Sequence, residues 1–337
     1  MRKALLFVAG VLATIALVIW VASWFRAEDA VAAAAAKPWP GGLGRLDSVG
    51  RRYPPLHANE AAKKLTALGS AFANDKAVED FVRREITRGQ MTIGNPPALR
   101  DVSAMRDLLL GPQVVWESGD RVSDNESSTS RALQMSVARA LVASALTRAR
   151  GNDPEAWEDL HAVWNLARAL DPYPQLTLRT ASLSMTRMVN GVAWKMPLPA
   201  PSWLGEMQER DYVQPLVVAF QYEVASNWAH AVRIFPTKWL AESIERDRRL
   251  SGELLKRTQC DVNAPNLSFV WRRAFRYRAE REATANALRV REGKPIRSAS
   301  RCSDGSWTFD GATLRFAREI PTAAPDIPMP LVLRVTP

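Results

Sequence analysis

The chain has 337 residues, of which 47% are hydrophobic and 24% are charged. These fractions are typical of a globular protein and exclude a disordered chain, a collagen-like chain and a polytopic membrane protein. Basic residues outnumber acidic ones enough to give a net charge of +10, which raises the question of nucleic-acid binding.

The N-terminus begins with Arg2 and Lys3 and continues with a stretch, residues 4–25, that carries no charge. As an α-helix this stretch would span roughly 33 Å, about the thickness of a bilayer core. Trp20 and Trp24 lie at its far end, as in an interfacial aromatic belt. Its length favours a membrane anchor over a cleaved signal peptide, whose apolar core is normally about 7–15 residues long.

The residues after this stretch bear on cleavage and on orientation. The alanine run 32–36 offers an A-x-A cleavage site, so a cleaved signal peptide stays open as an alternative. Positive charge precedes the stretch, whereas Arg26, Glu28 and Asp29 follow it, so the positive-inside rule places the N-terminus in the cytoplasm. We therefore expect a signal-anchored, single-pass protein of the bacterial inner membrane, with residues 4–25 in the lipid bilayer and the bulk in the periplasm.

The chain has two cysteines, Cys260 and Cys302, and both lie in polar surroundings in the last quarter of the sequence. An even count in an oxidising compartment favours a disulfide over two unpaired core thiols. The bridge would close a loop of about 42 residues and contribute ~4 kcal/mol by the chain-entropy estimate. Because there is no CxxC motif and no histidine nearby, we expect no zinc site at these cysteines. No other metal or cofactor is predicted.

Helical spacing dominates the sequence after a Pro- and Gly-rich linker at 26–58. Asn59 is placed to cap the first helix of this body, and Asn95-Pro96 is placed to start another that Gly111 ends. Gly151-Asn152-Asp153-Pro154 ends one long helix and starts the next, which predicts an αα-hairpin. Further helices are predicted at about 175–195, 202–210, 212–234, 237–258 and 267–292.

Three residues of this hairpin, Trp164, Ala167 and Pro172, have the spacing found in the second helix and exit of a tetratricopeptide unit. The hairpin at 131–172 therefore resembles one such unit, although Leu160 replaces its small residue and no second copy follows at the 34-residue period. The resemblance implies a helical-hairpin architecture at most.

The last part of the chain changes its pattern to alternation with period two. Asp310-Gly311 lies between the alternating runs 306–309 and 312–316, which predicts a β-hairpin, and 331–335 could add a third strand. The predicted fold is therefore mainly α, with an N-terminal transmembrane helix, a helical-hairpin extracytoplasmic domain and a small C-terminal β appendage. The predicted segments are 1–25 (cytoplasmic tip and anchor), 26–58 (linker), 59–258 (helical domain) and 259–337 (basic helix and β appendage).

The sequence contains no familiar catalytic motif, so we assign no catalytic residue. Glu158 and His161 are three residues apart and share a helix face, which would suit an acid–base or metal pair. A surface hydrogen bond explains such a pair more often. The isolated His230 lies on an apolar helix and is expected to be a core histidine.

Two features are candidates for binding a partner. The first is the concentration of positive charge in residues 272–301, and the second is Trp39, an aromatic residue of the linker. Basic residues interleaved with aromatics are typical of nucleic-acid binding, but the expected location outside the cytoplasm argues against that partner, and we predict no nucleic-acid binding. We expect Trp39 to contact lipid headgroups or a neighbouring subunit. The alternative for the basic residues is pairing with carboxylates of other helices. The predicted partner-binding arginines are Arg272, Arg273, Arg276 and Arg278.

The function predicted from these features is that of an accessory, scaffold or assembly subunit of a bacterial envelope or membrane complex. Its partners would be inner-membrane or envelope proteins. The first alternative is an envelope hydrolase or transferase with a dispersed acid–base site. The second is a module that binds anionic lipid or glycan through the basic segment.

Overall fold

The computed structural model describes residues 2–42, 44–118, 127–234, 238–260, 269–303, 305–320 and 328–336. Within these ranges the chain is mainly helical and carries a small antiparallel sheet near its C-terminus, which confirms that part of the predicted fold class. The helices are α1 (Arg2–Ala36), α2 (Val49–Arg52), α3 (Glu60–Gly69), α4 (Lys76–Thr87), α5 (Ser103–Leu110), α6 (Ser127–Arg150), α7 (Ala156–Arg168), α8 (Leu176–Ala193), α9 (Ser202–Glu209), α10 (Val213–Ile234), α11 (Lys238–Lys256) and α12 (Phe269–Arg291).

The predicted membrane anchor is wrong, because none of the helices in the described part of the chain combines the length and the apolarity needed to cross a bilayer. Three predictions are therefore wrong. They are the placement of residues 4–25 in lipid, the signal anchor and the single-pass, periplasmic localisation.

The chain divides into two compact units. Unit 1 comprises residues 1–54 and 217–256, and unit 2 comprises residues 55–216 and 257–337. Each unit joins two stretches that are distant in sequence. The predicted segments differ from these units because a change in composition can mark only a continuous part of a chain.

In unit 1, α11 packs along α1. Small and branched side chains of α1, including Val31 and Ala34, are buried, and Lys37 just beyond α1 forms an ion pair with Glu245 of α11. Helix α1 ends before Pro38, where the missing backbone N–H and the fixed φ of proline stop it. The predicted linker therefore begins as helix, and short 3₁₀ turns at 40–42 and 46–48 follow.

In unit 2, α6 and α7 form the predicted hairpin, and both pack against α8. The Asn59 side chain caps α3 as predicted, since its Oδ1 accepts a hydrogen bond from the Ala62 N–H at 2.9 Å. The helix predicted from Asn95 begins only at Ser103. Pro97 restricts the residue before it to extended backbone. The Asp101 carboxylate accepts from the Ser103 N–H at 2.9 Å, immediately before the observed helix.

The sheet of unit 2 consists of β1 (Trp307–Phe309), β2 (Thr313–Phe316) and β3 (Val332–Arg334), in that order and antiparallel. Gly311 has a φ of +96° in the turn between β1 and β2, a conformation that glycine adopts without strain. The predicted disulfide is present between Cys260 and Cys302, with the two Cα atoms 5.3 Å apart. It joins the segment that precedes α12 to the segment that leads into the sheet.

Helix α8 is buried on nearly all sides and contacts α12 through polar groups as well as apolar ones. Arg187 of α8 donates to Glu280 of α12 through Nε at 2.8 Å and Nη2 at 2.6 Å. Arg276 donates to the same carboxylate at 3.1 Å and to the Met329 carbonyl at 2.9 Å. A buried charge cluster, Arg187–Glu280–Arg276, therefore ties α8, α12 and the segment before β3 together.

Candidate functional site

A groove of about 420 Å³ lies on unit 2 between the start of α4 and one face of α6. Its floor is apolar and includes the buried side chains of Phe72, Val78 and Ala140. Asp75, at the turn that starts α4, and Arg131 of α6 are both exposed at its edge. The volume lies within the range of about 300–1,000 Å³ that is usual for ligand sites.

Some of the charged groups of the groove already have a partner within the protein. Glu79 contacts two guanidinium groups, Arg139 at 3.2 Å and Arg83 at 3.3 Å. Asp75 accepts a hydrogen bond from the Val78 N–H at 3.1 Å and so caps α4. Arg131 makes no ion pair with the described residues and is exposed. The groove therefore offers an apolar floor and an accessible cation for an acidic group of a ligand.

The side chains that line the groove indicate which chemistry it can support. Among those that the structure describes there is no histidine, cysteine or lysine, the side chains that most often supply acid–base or nucleophilic catalysis. The Ser136 hydroxyl donates to the Ala132 carbonyl at 3.0 Å, within its own helix. No cluster of metal-ligating side chains occurs in the described ranges of the chain. The groove is suited to recognition through shape and charge.

The predicted partner-binding arginines of α12 point largely into unit 2. Arg276 is 6% exposed and belongs to the buried charge cluster, so it is not available to a partner. Arg278 is half-buried and donates to the Arg257 carbonyl at 2.7 Å, and Arg273 donates to the Ser184 hydroxyl at 3.3 Å. Arg272 also has an interaction within the protein.

Other arginines of α12 bind carbonyl groups at the ends of neighbouring helices. Arg281 donates to the Arg210 carbonyl at 2.6 Å, just after α9, and Arg291 donates to the Met196 carbonyl at 2.6 Å, just after α8. Carbonyls at a helix C-terminus lack intrahelical partners and carry partial negative charge, so cations stabilise them. Much of the basic charge of α12 therefore stabilises the fold. This agrees with the alternative that these arginines bind groups within the protein, although the acceptors are often main-chain carbonyls and not only carboxylates.

The remaining predicted residues lie elsewhere. Trp39 is 2% exposed within unit 1, so its indole is not available for the predicted contact with headgroups or a subunit. Glu158 lies 3.9 Å from Arg106, whereas the His161 ring stacks on Trp203 at 4.9 Å, so each side chain contacts a different neighbour. The side chain of His230 lies outside the described residues.

The environment of His161 changes its titration. Burial, together with the positive charge of Arg168, lowers the pKa of His161 below its ordinary value of 6.5, and Glu206 opposes this shift. The Arg168 guanidinium lies over the neighbouring Trp164 ring at 4.9 Å. The folded protein therefore favours the neutral imidazole.

We expect an NMR titration to place the His161 pKa below 6.5 and the Arg168→Gln variant to raise it, because that variant removes a nearby positive charge. A folded-state pKa below the unfolded one means that the unfolded chain binds more protons, so stability falls as the pH drops below 6.5. The His161→Gln variant should lose this part of the pH dependence. A His161 pKa above 6.5 would contradict the description.

No family model, curated protein or solved structure matches the chain.

The groove residues were not singled out in the sequence, since Glu79, Arg131 and Arg139 belong to ordinary amphipathic helices. Only the packing of α4 against α6 brings them together. Asp159 was also missed: it is fully buried, and burial raises its pKa while bonds and charges from Ser144, Arg148 and Arg106 oppose the shift. Asp159 of α7 accepts a hydrogen bond from the Ser144 hydroxyl of α6 at 2.8 Å and so joins the two helices.

Proposed function

We propose that this protein is a partner-binding scaffold or accessory subunit, and that the groove between α4 and α6 holds a segment of another protein. The observation that carries the proposal is the combination of an apolar floor with the exposed cation Arg131 at the edge. Such a groove suits an apolar side chain flanked by an acidic residue.

Two features of the lining support a macromolecular partner over a substrate. The carboxylate of Glu79 is already engaged by arginines, and that of Asp75 caps a helix, so neither is placed for proton transfer. The groove is open along the surface of α6, where Ala132 is exposed, which leaves room for a chain that enters and leaves. The enzyme alternative has less support, since Glu158 and His161 do not converge in this groove.

A random peptide library displayed on phage tests the proposal with a defined probe. We expect the purified chain to enrich peptides that share an apolar residue next to aspartate or glutamate. The Ala132→Trp variant fills the groove from an exposed helix position and should weaken the selected peptides at least about tenfold, the equivalent of 1.4 kcal/mol. Arg131→Gln should weaken those peptides in proportion to their acidic flank.

The matched control is Thr147→Trp, which adds the same ring at another exposed position of α6 outside the groove lining. It should leave peptide binding unchanged. Failure to enrich any peptide family, or equal losses in the two tryptophan variants, would overturn the assignment of this groove. Circular dichroism of each variant checks that α6 remains folded.

A further inference from the structure

A second, smaller cavity of about 100 Å³ lies on unit 2 between the end of α9, the middle of α12 and the segment before β1. This volume is well below that of a usual small-molecule site, so the cavity suits a single charged group. Four arginines and two glutamates line it: Arg278, Arg281, Arg297, Arg301, Glu209 and Glu282.

The two carboxylates of the cavity are already engaged. Glu282 accepts hydrogen bonds from the Ser300 hydroxyl at 2.6 Å, from the Arg301 N–H at 2.7 Å and from the Trp307 indole at 2.8 Å. Glu209 pairs with the Arg301 side chain. The lining therefore retains a net positive charge of two units that its own acids do not neutralise. Arg278 and Arg281 each use one nitrogen to donate to main-chain carbonyls, which leaves their other N–H groups for a ligand.

Two buried N–H groups of the lining have no acceptor among the described residues: Nε of Arg281 and Nε2 of Gln208. A buried donor without an acceptor costs free energy, so an acceptor that reaches these two groups would stabilise the site. Burial and the charge of Arg281 lower the pKa of Arg278, and Asp211 opposes them. An anion in the cavity would relieve both the unpaired donors and this repulsion.

The backbone at the mouth of the cavity is fixed in place. The side-chain amide of Asn286, itself 2% exposed, accepts from the Arg297 N–H at 2.8 Å and donates to the Arg297 carbonyl at 3.1 Å. The Arg297 side chain is exposed and lies at the cavity. A preorganised backbone reduces the entropy lost when a charged side chain closes on a ligand.

We infer that this cavity binds a phosphoryl group, either as free phosphate or as the phosphate of an esterified side chain. Guanidinium groups bind tetrahedral oxyanions through paired, charge-assisted hydrogen bonds, and of the two unpaired donors Nε of Arg281 is charged while the Gln208 amide is neutral. The site is separate from the α4–α6 groove, so it stands independently of the function proposed above.

Isothermal titration calorimetry with inorganic phosphate and with O-phospho-L-serine tests the inference, with chloride at matched ionic strength as the reference. We expect saturable binding of a phosphoryl probe that weakens with added salt. Tighter binding of O-phospho-L-serine assigns the site to an esterified phosphate, and tighter binding of inorganic phosphate assigns it to the free ion.

Two variants should weaken binding by about tenfold each, by removal of one charge-assisted or one neutral donor. Arg297→Gln removes an exposed charge. Gln208→Met removes a buried donor and retains the main-chain carbonyl of residue 208, which accepts from Arg281. Arg315→Gln, an exposed charge on β2 outside the cavity lining, is the matched control and should have no effect. Absence of saturable binding, or an equal loss in Arg315→Gln, would overturn the inference.

Discussion

The Glu280→Gln variant should lose about 3–5 kcal/mol of unfolding free energy, the range measured when one partner of a buried ion pair is removed. Glu280 is 1% exposed and accepts from both Arg187 and Arg276. Glutamine keeps the size but turns the acceptor into a neutral amide, so two buried guanidinium groups lose their countercharge. Urea unfolding followed by tryptophan fluorescence and circular dichroism measures the change.

A second substitution separates charge from packing in this cluster. The double variant Glu280→Gln/Arg187→Met removes one of the two uncompensated cations, so it should be less destabilised than the sum of the two single variants. The control is Glu60→Gln, which removes one member of an exposed pair with Lys63, 2.8 Å apart, and should leave the unfolding midpoint unchanged. Additive single and double variants would show that the cluster is not electrostatically coupled.

The buried charge cluster also shows where reasoning from the sequence stops. The pattern predicts α8 and α12 with small errors at their ends, because apolar spacing and capping residues are local. The alternation of basic and aromatic residues in the same helix makes the arginines at 272–278 candidates for a partner surface. Which face of α12 is buried depends on α8, and no local pattern of α12 contains that information.

The two cavities differ in how far the sequence could indicate them. The smaller cavity, which we propose as a phosphoryl site, falls partly within the basic segment 272–301, so the excess of charge drew attention to part of its lining. The arginine of the predicted set that lines it is Arg278, while Gln208 comes from a distant helix. The α4–α6 groove gave no such indication, because its residues are ordinary for amphipathic helices until the helices pack.

The long apolar stretch at the N-terminus shows a different failure. Length and absence of charge are strong indicators of a bilayer span, yet the described part of the chain contains no such helix. The expectation of oxidising surroundings rests partly on that stretch. The disulfide does not depend on that expectation, because Cys260 and Cys302 are bonded in the structure.

Removal of this disulfide is the second large effect that we expect. Replacing Cys260 and Cys302 with alanine should lower the unfolding free energy by about 4 kcal/mol, because the unfolded chain regains the freedom of a loop of 42 residues. Alanine suits both positions, which are 1% exposed, since it adds no buried polar group. Urea unfolding with and without dithiothreitol measures the effect.

The reductant provides an internal control for this prediction. Dithiothreitol should destabilise the wild-type chain by nearly the same amount and leave the double alanine variant unchanged. A loss below about 1 kcal/mol in both experiments would mean that the denatured chain is already compact around this loop.

The closed loop gives this expectation its structural consequence, because it contains all of α12 and therefore Arg276 and Glu280 of the buried charge cluster. In the unfolded chain the bridge keeps both ends of that segment together, which lowers the entropy lost when α12 docks on α8. Loss of the disulfide and loss of the Glu280 charge act on the same docking step, one through the unfolded state and the other through the folded state. The Glu280→Gln change in the disulfide-free background should therefore leave α12 undocked at urea concentrations where each single change leaves it folded.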